Sequence, residues 1–168
     1  MRTGMILVLA AGLSALGACK APPPPLKDVS YPAWGFAVSF HGTPKATDSP
    51  AAADGSTAHT FVVESAVEGR DELVNVIDGS ASTKSEDQAL SDAPAVLAKA
   101  VGATLGPITY AASGKVMGRE FLLTRPGHPA GRARVFVVNK HLYEIVGESA
   151  QGPDDPAVAA FLDSFRLL

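Results

Sequence analysis

Cysteine occurs once in 168 residues, aromatic residues make up 7% of the chain and charged residues 18%. A single thiol excludes a disulfide scaffold and a four-cysteine zinc site. Basic residues are in deficit, with 14 Lys and Arg against 17 Asp and Glu for a net charge of −3. That balance offers no basic surface for a phosphate backbone, so no nucleic-acid partner is expected. Long apolar runs are also missing. Met5 to Ala18 is too short for a membrane span, which needs about 20 residues, and Lys20 and four prolines block its extension. What is present, 46% apolar residues over this length, suits one compact domain.

The order of features at the N-terminus is that of a secretory signal peptide: Arg2, an apolar run from Met5 to Leu16, then the small residues Gly17 and Ala18. The one cysteine, Cys19, stands directly after them. Leu16-Gly17-Ala18-Cys19 resembles the bacterial lipobox. The resemblance implies a diacylglycerol thioether on Cys19, cleavage after Ala18 and acylation of the new amino group. Two or more acyl chains anchor a protein stably in a bilayer. Such lipoproteins tend to stay at the inner membrane when Asp follows the cysteine. Here Lys20 follows, which favours the periplasmic face of the outer membrane. Removing residues 1–18 takes Arg2 and no acid, so the net charge moves from −3 to −4. The lipid alone would then hold the chain at the membrane.

Residues 19–33 read as the lipidated Cys and a proline-rich tether, since Pro22 to Pro25 favour a stiff polyproline II spacer. A single globular domain is expected over 34–168. Phe36, Val38 and Phe40 alternate with Ala37 and Ser39 as a half-buried strand, and residues 42–57 read as a surface loop. Thr60–Val67 and Glu72–Asp78 form a hairpin around Glu68 to Asp71. Ser85 and Gln88 fit a capping box, and Leu90, Ala93, Leu97 and Val101 share one face of the helix that follows. Pro94 should kink that helix or start a second one, and Gly102 should stop it.

Beyond it, Thr104–Ala111 and Val116–Thr124 flank Ser113-Gly114, and Arg134–Asn139 and Leu142–Ser149 meet around Asn139-Lys140. Val135 to Val138 are apolar on both strand faces, so the sheet must be covered on both sides. Asp155 can N-cap a last helix with Pro156 in its first turn, and Val158, Phe161, Leu162 and Phe165 form its buried stripe. The pattern is α+β.

Several segments resemble the PsbP-like family: Gly35 to Phe40 with Gly42-Thr43-Pro44-Lys45, Gly118-Arg119-Glu120-Phe121, Arg132 to Val138 with Leu142 to Ile145, and the closing Ala160 to Leu167. His41 departs from the Phe-Pro-Gly-x-Pro version expected of bacterial members. The resemblance implies an α-β-α sandwich on an antiparallel sheet. That fold serves non-enzymatic binding and assembly roles in unrelated complexes, and no metal or cofactor residues carry over.

The residues themselves offer little chemistry. Gly147 to Gln151 nearly matches a nucleophile elbow, but Gln151 replaces the glycine that the sharp turn requires. No phosphate-binding loop, dinucleotide fingerprint or H-E-x-x-H is present. His41, His59, His128 and His141 are spaced too widely for two to share a helical face, so no metal site and no cofactor are expected. Charge is uneven: residues 60–100 hold eight acids against three bases, and 115–141 hold six bases against Glu120 alone. Arg119, Arg125, Arg132 and Arg134 could form a partner-binding patch, or could pair with nearby acids.

Three readings follow. A lipid-anchored, non-enzymatic interaction or assembly module of the bacterial envelope comes first. A periplasmic small-ligand-binding lipoprotein, with a site near Trp34, Tyr110 or Tyr143, comes second. An enzyme comes last.

Overall fold

A computed structural model describes residues 25–50, 60–67, 69–79 and 83–168. The signal peptide, Ala18, Cys19, Pro22 to Pro24 and His59 lie outside the described residues. Seven antiparallel strands form the main sheet: β3 (Lys45–Ser49), β4 (Thr60–Val67), β5 (Arg70–Asp78), β6 (Thr104–Ser113), β7 (Val116–Thr124), β8 (Gly131–Val138) and β9 (His141–Ser149), in the order β3-β4-β5-β9-β8-β7-β6. A smaller sheet holds β1 (Lys27–Tyr31), β2 (Phe36–Phe40) and β10 (Arg166–Leu167), with β2 in the centre. The helices are α1 (Glu86–Ala100) and α2 (Pro156–Ser164).

Local chemistry sets most element ends. Ser85 Oγ accepts from the Gln88 amide at 3.2 Å, but the Gln88 side chain turns to Asp92 instead of closing the capping box. Gly102, at φ +66°, ends α1: its amide bonds Lys99 O and the Ala103 amide bonds Ala98 O, as in a Schellman motif. Pro94 sits inside one continuous helix and starts no second one. Asn139 and Lys140 both take positive φ, the backbone of a tight hairpin whose twist matches the strands it joins. Asp155 caps α2 through the Ala157 amide at 2.9 Å.

The alternation along β8 divides the core. Ala133 and Val135 join Phe121, Leu123, Ala93 and Leu97 in a cluster beneath α1. Phe136 turns the other way, joining Val74, Ile145, Phe36, Phe40, Val158, Phe161 and Phe165. The sheet is thus covered on both faces, as the apolar run in β8 requires. The layers are not a plain helix-sheet-helix sandwich, however, because the second face is covered by α2 together with β1-β2-β10.

Two boundaries differ from the sequence reading. Residues 27–31 are strand β1 and Pro32–Trp34 a short 3-10 turn, so regular structure begins before residue 34, inside the stretch read as a tether. Val29 and Tyr31 pack on the core while Asp28 and Ser30 turn away, an alternation that the surrounding prolines obscure. Lys45–Ser49, expected in a loop, pairs with β4 as a polar, exposed edge strand. Main-chain pairing holds it there, with no apolar face of its own.

Candidate functional site

The four arginines do not form one patch. Arg132 and Arg134 lie on the α2 side of β8, two residues apart, and both converge on Glu120 of β7. Glu120 stands opposite Arg134 in the strand register, and the Arg134 Nε donates to it at 2.5 Å. Arg134 Nη2 also donates to Asp163 of α2 at 2.7 Å, tying helix to sheet. Burial pushes the Glu120 pKa up, but hydrogen bonds from Arg132 and Arg134 outweigh it and hold the carboxyl below its ordinary value. Burial likewise works against the Arg134 charge, and the bonds to Glu120 and Asp163 raise its pKa in spite of it.

Arg125 is elsewhere, on the α1 side, where its Nη2 reaches both oxygens of Glu148 at 2.6 Å. Arg119 also faces the α1 side. Its guanidinium carbon lies 4.7 Å from the centre of the Tyr110 ring, directly across the β6-β7 pair. Tyr110 is 75% exposed, and Ile108 and Met117 on the same hairpin are about half exposed. Strand alternation brings Ile108, Tyr110, Met117 and Arg119 to one face, and β6 is the edge strand beside them. Sequence reading singled out Arg119 and Tyr110 separately and did not find Ile108 or Met117. The signal was their shared parity once Tyr110 is set opposite Arg119.

The other candidates have structural roles. Tyr143 is buried and donates its hydroxyl to the Trp34 carbonyl at 3.0 Å, fixing the turn between β1 and β2. His41 is buried, and its ring and amide both meet Glu72. His141 packs near Trp34 and Tyr143, and His128 lies in the loop between β7 and β8. Ser149, at the near-elbow, is buried and donates to the capping residue Asp155 at 2.6 Å. Among the described residues no three His, Cys, Asp or Glu gather as a metal site, and no helix is long and apolar enough to cross a membrane.

No known family model matches the chain, and no curated protein does. Among solved structures it is similar to the solution structure of cyanobacterial PsbP (CyanoP) from Synechocystis sp. PCC 6803. That similarity spans 91% of this chain and 99% of the other, with a TM-score of 0.60 at 14% sequence identity. The likeness shows a PsbP-like fold.

Proposed function

We propose that the chain is a non-enzymatic interaction module, held to a bacterial envelope membrane by lipid on Cys19 and docking a protein partner on the β6-β7 hairpin. The observation that carries this reading is the exposed Tyr110-Arg119 stack, flanked by Ile108 and Met117 beside β6, the edge strand of the main sheet among the described residues. Tyr, Met and Arg are enriched at the centres of protein interfaces. An open strand edge supplies main-chain bonds for an added strand. The occupant it suits is an extended segment of an envelope protein with apolar residues for Ile108 and Met117 and a carboxylate for Arg119. The PsbP-like fold supports the reading by analogy only.

Three experiments test it. A photo-crosslinker placed at Tyr110 in the native host should join the chain to a defined segment of one envelope protein, and Ile108→Ser should abolish the product without changing the melting temperature. Crosslinks only between copies of this chain, or none, overturn the docking assignment. Cys19→Ala should leave the chain unprocessed or soluble, and a variant still in the membrane fraction at its normal mature mass overturns the anchor. Replacing Arg132 and Arg134 with Ser should weaken the fold while leaving this docking face intact, because both side chains are committed to Glu120.

A further inference from the structure

α1 packs mainly over β6, β7 and β8, and the same sheet face of β5 and β9 runs along the flank of the helix. There the strand register stacks cross-strand pairs in successive rows, with Leu73 opposite Val146 and Asn75 opposite Glu144. A hollow of about 350 Å³ opens over these rows, walled by Leu97 of α1, by Val101 just past its end and by Leu123. That volume lies within the range of small-molecule sites, which pair apolar walls with a few placed polar groups.

The polar groups on its floor are incompletely matched. Asn75 Nδ2 donates to Glu144 Oε2 at 2.7 Å, and Asn75 Oδ1 is buried with no hydrogen-bond partner. An orphaned carbonyl oxygen in this setting is costly unless a donor reaches it. Glu144 is only 4% exposed. Arg125 also lines the hollow, but it is held by both oxygens of Glu148. Asp71 adds a further acid. The lining therefore carries more acid than base and lacks a donor at its centre.

We propose that this hollow binds a small molecule with an apolar body and a primary ammonium head, the head pairing with the Glu144 carboxylate and donating to Asn75 Oδ1. An ammonium brings three donors and a charge, which meets both deficits at once. The apolar body displaces water from Leu73, Val146 and Leu97. The site uses none of Ile108, Tyr110, Met117 and Arg119, so it stands or falls independently of the docking surface they form.

The test is calorimetric titration of the full-length chain with 2-phenylethylammonium, set against 2-phenylethanol and 3-phenylpropionate, which keep the apolar body and change the head. The ammonium should bind, the alcohol at least about tenfold more weakly and the carboxylate not at all, a discrimination typical of charge-assisted hydrogen bonds. Glu144→Gln keeps the shape and a partner for Asn75, and it should lose about tenfold in ammonium affinity while melting cooperatively. Binding should also shift the Asn75 side-chain amide signals in a nitrogen-correlated NMR spectrum. If the chain binds no ammonium, binds the alcohol equally well, or binds the ammonium unchanged in Glu144→Gln, the assignment is wrong.

Discussion

Phe136 of β8 and Phe165 at the end of α2 stack with ring centres 5.6 Å apart and planes 11° from parallel. Phe165 also stacks on Phe36 of β2 at 5.8 Å, so one residue near the C-terminus joins the two sheets. Truncation after Pro156 removes it with Val158, Phe161 and Leu162, all buried. Each such burial contributes about 1.5–3 kcal/mol, against a whole-domain stability of about 5–15 kcal/mol. The truncated chain should show no cooperative transition in a thermal melt followed by circular dichroism. A sharp melt would contradict the role given to α2.

Glu120 collects two arginines on the α2 side. Glu120→Gln leaves both less well paired at a mostly buried site and should cost about 2 kcal/mol in urea unfolding. Because the folded-state pKa is lowered, this contribution is present above the ordinary value of 4.5 and is lost as pH falls through the folded-state value. Wild type should therefore lose stability on acidification more steeply than Glu120→Gln. Parallel pH profiles for the two proteins would show that Glu120 does not act this way.

Glu144 has the opposite sign. Burial pushes its pKa up, and the bond from Asn75 only partly offsets this. The folded state thus holds this proton more tightly than the unfolded chain, so stability falls as pH rises through the interval above 4.5. Glu144→Gln should raise the melting temperature at neutral pH, with a gain that shrinks toward acid. A variant that melts lower than wild type at pH 7 would reverse this assignment.

Gly118 lies beneath the Phe136 ring. A Cβ there would stand 2.3 Å from the Val135 carbonyl oxygen and 2.5 Å from the Phe136 ring edge. Backbone on one side and a packed aromatic on the other leave no direction for relief, so Gly118→Ala should cost about 2–3 kcal/mol. Equilibrium unfolding in urea measures this directly, and a loss below about 0.5 kcal/mol, the size of an ordinary surface substitution, would mean the strand can shift.

Elements with their own local chemistry were legible in the sequence. Ser85, Gly102, Asn139-Lys140 and Asp155-Pro156 each fix a backbone conformation within a few residues, and each stands where the pattern placed it. β1 and β3 were not legible, because prolines border them and β3 has no apolar face. The arginines show a different limit. That Arg132 and Arg134 share a face follows from their spacing, but that Glu120 lies between them depends on register, which only the folded sheet sets. The open pair of Asn75 and Glu144 was hidden for the same reason, since those residues lie 69 positions apart.

The two margins of the main sheet are unlike. β3 is five residues long, bordered by Pro44 and Pro50, and presents Lys45 and Asp48, features that discourage strand addition. β6 is ten residues long and carries Ile108 and Tyr110 outward. In the vocabulary of polymer chemistry, this sheet is monofunctional. A unit with two reactive ends extends into a fibre, whereas a unit with one is a chain terminator. A strand added at β6 would therefore end at a closed pair, and an edge open to addition would not make the protein a seed.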